Sequence, residues 1–299
     1  YEDQAAYWKN GEKIMLQRSH NSAYSIATSI FVYEGDVHTI GFEEINSEYI
    51  YRYWKNGMIS PISDDASTVA LSLSDVFVSN GDVYLAGSSK TGNKEVATYW
   101  KNGKPVVLSN SKEIERLTSI FISGSDIYTA GTAMNYTHAD KVAKYWKNGT
   151  PIILSENAAA YGIFVFGNDV YVTGSEYIGS VRVATYWKNG KPTRLTNGTD
   201  DGFAITPFVE NDNVYISVMD YEEGNMYWKN GKVTKLTDNY SEGCEIFVSD
   251  GDLYATGSVA NGSYNRAAYW KNEQPILLTD GTETHSDVYG VFVTKTLEE

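Results

Sequence analysis

Cysteine, proline and long hydrophobic runs are scarce in this sequence of 299 residues. Cys244 is the single cysteine, which excludes an internal disulfide framework and any zinc site built on cysteines. No stretch approaches the roughly 18 consecutive apolar residues of a membrane-spanning helix, so we expect no transmembrane segment. No Asp-x-Asp-x-Asp spacing of a calcium loop occurs, and we expect neither a metal ion nor another cofactor.

Positive charge is also in short supply. Lys and Arg number 24 against 38 Asp and Glu, which gives a formal net charge of -14. Such a surface repels phosphate backbones, so nucleic acids are excluded as partners. The same field favours neutral or basic ligands.

Aromatic residues are abundant, and most of them belong to a repeat. The chain has 24 Tyr and 7 Trp. The string Tyr-Trp-Lys-Asn begins at seven positions, 41 to 46 residues apart: Tyr7, Tyr53, Tyr99, Tyr145, Tyr186, Tyr227 and Tyr269. A period of about 40 to 50 residues is typical of the blades of β-propellers. The seven Trp recur at one repeat position, so we interpret them as core residues packed between blades and not as a sugar-binding platform.

Each repeat unit contains four short runs of β-branched and aromatic residues, which predict four strands. Two of the connections have fixed length: from the Phe of the first strand to the Asp or Asn of the second, and from the motif Tyr to the end of the fourth strand. The other two connections vary. Alternate turns of an antiparallel meander lie at the same end, so we predict one face of fixed hairpins and one face of variable loops. Function usually resides in variable loops on a rigid scaffold.

The repeat resembles known propeller families. The run Asp82–Gly87, where kelch repeats carry a double Gly, follows the apolar first strand as in kelch-type blades. More closely, Ala97–Gly103, Ser29–Val32 and Gly81–Tyr84 are similar to the YWKNG-type repeats of exported bacterial proteins. The resemblance covers the whole chain. It implies a propeller and an exported, extracellular, periplasmic or surface-anchored location, but no activity.

We therefore predict an all-β, seven-bladed propeller of four-stranded antiparallel blades, with residues 1–299 as a single domain and the chain as a monomer. By the kelch analogy the first strand is innermost, and the last blade combines Val288–Val293 with N-terminal strands near Ala5–Trp8 and Lys13–Leu16. One second strand is then unaccounted for, because six copies of the Asp-Val-Tyr pattern serve seven motifs: either it lies upstream of Tyr1, or residues Thr294 to Glu299 take its place. The alternative register places Tyr-Trp innermost.

Tyrosines in the variable loops are the candidate ligand-binding surface. Rigid, amphipathic Tyr side chains suit binding surfaces. Those on the variable face are Tyr136, Tyr177, Tyr221, Tyr240 and Tyr264.

Two carboxylates near the first strands are the candidates for chemistry. Glu245 replaces a Ser or an apolar residue before Ile246 and Phe247, and Glu210 replaces the small residue that follows the same strand in the preceding unit. We predict that both acids face the central channel, where such a pair could hydrolyse a glycosidic bond.

The sequence favours a non-catalytic binding module for a protein or a glycan, which acts through the variable-loop face. Two alternatives remain: a glycan-cleaving enzyme with a carboxylate site at the channel mouth, and a purely structural spacer. No Ser-His-Asp or Cys-His spacing is apparent, so no catalytic residue is assigned.

Overall fold

A computed structural model describes residues 4–64, 68–109, 113–135, 141–237, 243–261, 264–280 and 286–294. These residues form strands without a helix, so no helix of theirs could cross a membrane. The strands are β1 (Ala6–Lys9), β2 (Glu12–Met15), β3 (Ser22–Tyr33), β4 (Asp36–Ile45), β5 (Glu48–Lys55), β6 (Met58–Ser60), β7 (Ala70–Ser79), β8 (Asp82–Thr91), β9 (Lys94–Lys101), β10 (Lys104–Val107), β11 (Ile114–Ser123), β12 (Asp126–Met134), β13 (Lys141–Lys147), β14 (Thr150–Glu156), β15 (Ala158–Phe166), β16 (Asp169–Ile178), β17 (Val181–Lys188), β18 (Lys191–Arg194), β19 (Gly202–Glu210), β20 (Asn213–Asp220), β21 (Gly224–Lys229), β22 (Lys232–Lys235), β23 (Ile246–Ser249), β24 (Asp252–Asn261), β25 (Tyr264–Lys271) and β26 (Gln274–Leu277).

Strands β3 to β26 make six four-stranded antiparallel sheets, each a meander in chain order. We number these blades 1 to 6, from β3–β6 to β23–β26. The all-β propeller architecture with four-stranded antiparallel blades is thereby confirmed.

The prediction of seven four-stranded blades is wrong by one. The first Tyr-Trp-Lys-Asn copy lies in a two-stranded sheet, β1–β2, and residues 286–294 are extended without belonging to a sheet of the described residues. The physical reason is that the described residues supply no second strand for the unit that contains β1 and β2. In blade 2, for example, β9 pairs with β8 on one side and β10 on the other, whereas β1 pairs only with β2 among the described strands.

The first strand of each blade is innermost. One Phe from each first strand packs against the next Phe, with ring centroids 4.7 to 5.1 Å apart, in the order Phe31, Phe77, Phe121, Phe164, Phe208 and Phe247. Phe292, from the extended segment, contacts both Phe247 and Phe31, at 4.9 and 4.6 Å. These contacts confirm that the first strand is innermost and contradict the alternative with Tyr-Trp innermost.

The Lys and Asn of the repeat motif fasten the two fixed hairpins of a blade together. In blade 2, the Asn102 side chain accepts the Val83 N–H at 2.8 Å and donates to Asp82 at 2.7 Å, and Lys101 pairs with the same carboxylate at 2.7 Å. The contact from the motif Asn recurs in all six blades, with Asn213 in place of Asp in blade 5, and the Lys–Asp ion pair recurs in blades 1, 3, 4 and 6. Since the fastened residues belong to both hairpins, the two hairpins lie at the same end of each blade. The hairpin face and the opposite variable-loop face are therefore as the spacing predicted.

The hydrophobic core lies between neighbouring blades. Trp100 and Val76 of blade 2 are buried with Ile40 and Tyr53 of blade 1, and the same arrangement recurs around the disc. The motif Trp residues of blades 1 to 4 and 6 are at most 2% exposed. This burial supports the interpretation of the Trp series as core residues.

Candidate functional site

The centre of the propeller holds a cavity of about 350 Å³, bordered by residues of the first strands and by Phe292 and its neighbours. First strands run from the variable-loop face to the hairpin face. Residues that precede the Phe contacts therefore lie on the variable-loop side. The cavity is thus a recess of the channel above the packed Phe rings.

One repeat position controls the chemistry of this recess. It lies two residues before each Phe and is occupied by Ser29, Asp75, Ser119, Gly162, Thr206, Glu245 and Gly290. Two of these seven residues are acidic, and both border the same cavity. The sequence analysis identified Glu245 but missed Asp75, although the shared repeat position could have revealed it.

Asp75 is held by four hydrogen bonds from three blades. One carboxylate oxygen accepts from Ser29 Oγ at 3.2 Å and from the Val76 N–H at 2.8 Å. The other accepts from Ser119 Oγ at 2.8 Å and from the Ile120 N–H at 2.9 Å. Burial raises the pKa of Asp75 to about 6, although the hydrogen bonds from Ile120 and both serines act in the opposite direction.

Glu245 makes the equivalent contact to the extended segment, since its Oε2 accepts the Val291 N–H at 3.0 Å. Burial, and then the negative charge of Asp75, raise the pKa of Glu245 to about 8, and the Val291 hydrogen bond lowers it. The pKa of Glu245 is therefore raised further than that of Asp75, so Asp75 loses its proton at the lower pH. That is the protonation pattern of an acid and base pair, and also of two structural links between blades.

Glu210 does not join this pair. It ends β19 at the hairpin face, where its carboxylate accepts the N–H groups of Asp250 and Gly251 at 3.2 and 2.9 Å. The prediction that Glu210 faces the channel with Glu245 is corrected here. The reason is that Glu210 follows the Phe of its strand, whereas channel residues precede it.

A cluster of aromatic and basic side chains extends from the recess onto the variable-loop face of blades 4 and 5. We call Tyr161, Tyr177, Arg182, Phe203 and Tyr221 the aromatic cluster. Tyr161 borders the cavity, Phe203 lies 6.1 Å from it between ring centroids, and Tyr221 lies 5.5 Å further on. The guanidinium of Arg182 is 4.3 Å from the Phe203 ring and 5.8 Å from that of Tyr221.

Asp201 fixes the position of Arg182. Its carboxylate accepts the Arg182 N–H at 2.7 Å and Nε at 2.9 Å, and also bonds the terminal Nη2. Tyr177 is held by Lys141, which donates to the Tyr177 hydroxyl at 2.8 Å and lies over its ring. Tyr221 is 49% exposed. The cluster therefore combines rigid support with one exposed ring, that of Tyr221, over Phe203, which is 8% exposed.

Two of the five predicted tyrosines thus belong to one surface, and the other three are undetermined. Tyr136 and Tyr240 lie outside the described residues, and so does the side chain of Tyr264, whose backbone begins β25. Sequence reasoning missed Arg182, Phe203 and Tyr161, because only the fold brings residues of two blades together.

The described residues give little support for a cysteine nucleophile or a metal site at the centre of the propeller. Cys244 borders the cavity, but burial raises the pKa of its thiol to about 12, which keeps it neutral. In the described part of the chain, no group of three or more His, Cys, Asp or Glu side chains could hold a metal ion.

No protein-family model matches the sequence, and no curated protein does so either. Solved structures match the fold. The polysaccharide lyase Uly1 gives a TM-score of 0.52 at 12% identity, over 89% of this chain and 82% of the lyase. The Penicillium chrysogenum alpha-L-arabinanase complexed with arabinobiose gives a TM-score of 0.52 at 11% identity, over 86% of this chain and 94% of the arabinanase. Trypanosoma rangeli sialidase gives a TM-score of 0.50 at 10% identity, over 91% of this chain. The match covers 58% of the length of the sialidase. These likenesses are to β-propellers and show the fold alone.

Proposed function

We propose that the protein is a non-catalytic binding module and that the aromatic cluster is the centre of its ligand surface. The observation that carries the proposal is the continuous series Tyr161, Phe203 and Tyr221, with Arg182 fixed across the last two rings. Aromatic faces beside a guanidinium provide stacking area together with hydrogen-bond donors.

Carbohydrate is the ligand class we favour. A neutral glycan presents apolar ring faces to aromatic side chains and hydroxyl groups to Arg and Tyr, and a net charge of -14 does not repel it. The propellers with similar folds include proteins described as a polysaccharide lyase, an arabinanase with bound arabinobiose and a sialidase, which supports the same class. A neutral or basic protein segment is the alternative ligand.

Binding to a glycan array and to candidate peptides tests this proposal. Replacing Tyr221 by Ala should weaken binding of the selected ligand by about 1–2 kcal/mol, a hot-spot amount, because an exposed stacking ring is lost. Tyr33→Ala is the matched control, since Tyr33 ends β3 on the hairpin face. Equal binding by the wild type and the Tyr221 variant would count against the aromatic cluster, and binding of peptides alone would redirect the ligand class.

A second candidate, a glycan-cleaving enzyme, is favoured by the unequal protonation of Asp75 and Glu245. If the pair is catalytic, activity should be greatest between about pH 6 and 8, the pKa values given above. Glu245→Gln should then abolish cleavage but leave glycan binding intact. The absence of cleavage by the wild type across polysaccharide substrates would leave the binding module as the proposal.

We also propose that β1–β2 and residues 286–294 are parts of a seventh blade, which joins both ends of the chain. Two contacts support it. Phe292 continues the series of packed Phe rings, and Leu16 and Ala5 are buried with Trp54 of blade 1.

A further inference from the structure

Packed Phe rings close the central recess towards the hairpin face. Seven rings form an unbroken series around the channel, since Phe292 contacts both Phe247 and Phe31. Neighbouring centroids lie 4.6 to 5.1 Å apart, which is less than the width of a Phe ring. The rings therefore overlap partly face to face, and their edges point towards the channel axis. A sugar ring that enters the recess is too wide to pass through this floor.

The recess opens in the opposite direction, towards the variable loops, and there it meets the aromatic cluster. Tyr161 belongs to both, and Phe203 and Tyr221 follow it outwards, at 6.1 and 5.5 Å between successive ring centroids. The volume of about 350 Å³ lies at the lower end of the roughly 300–1,000 Å³ of small-molecule sites. The recess is thus a blind pocket that suits the end of a chain, and not a groove through which a chain passes.

Two side chains of adjacent blades offer hydrogen-bonding groups to the recess. Thr206 of blade 5 and Glu245 of blade 6 occupy the repeat position two residues before the Phe, and both are half-buried. Glu245 binds the Val291 N–H through Oε2, and within the described chain neither its Oε1 nor the Thr206 hydroxyl has a partner. Asp75, in contrast, accepts four hydrogen bonds. Thr206 and Glu245 are therefore the groups that remain for a ligand.

The protonation of Glu245 suits a neutral ligand. Burial, and then the charge of Asp75, raise the pKa of Glu245 to about 8, so this carboxyl group keeps its proton to a higher pH than an exposed Glu does. A protonated carboxyl group donates as well as accepts hydrogen bonds, as the Thr hydroxyl also does. Sugar hydroxyl groups require both kinds of partner.

We propose that the recess binds the terminal residue of a glycan chain, held by Thr206 and Glu245, while the aromatic cluster binds the residues that follow it. This mode of binding rests on the carbohydrate ligand proposed above and adds to it a selection for chain ends. Internal residues of a long chain can contact the aromatic cluster, but the Phe floor prevents them from filling the recess.

The stoichiometry of binding to long chains tests the selection for ends. The probes are linear arabinan, mixed-linkage β-glucan and pullulan, each titrated into the full chain as the polymer and as short oligosaccharides of the same linkages. For a glycan that binds, we expect one protein per chain for the oligosaccharide and the polymer alike, because each chain has one end of the type recognised. A surface that binds internal residues would load several proteins along the polymer.

Thr206→Val separates recognition in the recess from stability. The shape of the side chain is nearly kept, and the hydrogen bond from the Thr206 N–H to Ser217 Oγ is a backbone contact that remains. Affinity for the oligosaccharide should fall about fivefold, because one hydrogen bond is lost. Thr193→Val is the matched control, since Thr193 is exposed on the outer strand β18, and it should leave binding unchanged.

The outcomes distinguish this proposal from the function on which it rests. Several proteins per polymer chain, or equal affinities of the wild type and Thr206→Val, would overturn the binding of chain ends, even if Tyr221→Ala still weakens binding. Weakening by Thr206→Val without any effect of Tyr221→Ala would contradict the aromatic cluster instead. If none of the three glycans binds the wild type in either form, the carbohydrate ligand fails, and the selection for chain ends fails with it.

Discussion

Single residues at equivalent repeat positions differ in their roles because the blades are not identical. Asp75 and Glu245 occupy the position that holds Ser or Gly in four other units, and each accepts a backbone N–H from the following unit. Ser119 does the same for Ile163 at 3.3 Å. The acids therefore replace a neutral link between blades with an ionisable one.

The stability of the protein should depend on pH because two of these links between blades are ionisable. A carboxyl group whose pKa is raised on folding binds its proton more tightly in the native state, so stability falls as pH rises from the unfolded pKa to the folded one. For Glu245, with a pKa of about 8, the free energy of unfolding should fall by about 1.4 kcal/mol per pH unit between pH 6.5 and 7.5.

Denaturant titrations at those two pH values measure how the free energy of unfolding changes with pH. Glu245→Gln should remove most of this change, since the amide does not titrate. Asp75→Asn is the comparison: the pKa of Asp75 is raised only to about 6, so its own contribution ends near that pH, and loss of its charge should lower the pKa of Glu245 and reduce the slope in part. An unchanged slope in the Glu245 variant would show that the group titrates normally.

Within a blade, the second strand depends on glycine where it passes the first strand. A Cβ built on Gly131 would lie 2.2 Å from the Arg116 carbonyl oxygen, and one on Gly87 would lie 2.0 Å from that of Ser72. Blade 5 has Val218 at this position, and its first strand shows a wider irregularity, between Ala204 and Pro207. The irregularity makes room for the Val side chain, which is 1% exposed.

Gly131→Val should accordingly destabilise the protein by at least about 3 kcal/mol, since the overlap is with backbone and cannot be relieved by a rotamer change. Val218→Ala should cost less, about 1–2 kcal/mol, because it removes two buried methyl groups but creates no overlap. Thermal or urea unfolding of the two variants gives the comparison. Similar losses would mean that the first strand can move away from the second in any blade.

At the scale of the whole molecule, the described strands differ most in how completely they are paired at β1 and β2. Blades 2 to 4 have all four strands paired and cores on both sides, whereas β1 has one partner strand among the described residues. Local stability follows backbone pairing and burial. Among the described strands, β1 and β2 should therefore open first.

Amide hydrogen exchange should be fastest, among the described strands, in β1 and β2, and at least tenfold slower in β8, β12 and β16. The second strands of blades 2 to 4 are the internal controls, because each pairs on both sides. We also expect faster exchange in blade 5 than in its neighbours, because its first strand is irregular between Ala204 and Pro207. Uniform exchange across all strands would contradict both expectations.

The sequence by itself determined the strand content, the repeat period and the two faces, because these depend on local spacing: each Tyr-Trp-Lys-Asn motif and each Phe-to-Asp interval encodes one tight hairpin. It also located Glu245, whose departure from the repeat is visible in the letters. Only the tertiary structure decided which side chains meet. Asp75 and Glu245 share a cavity from separate blades, and Arg182 reaches Phe203 and Tyr221 across a blade boundary. Contacts between blades depend on the packing of whole sheets around the channel, which no local pattern specifies.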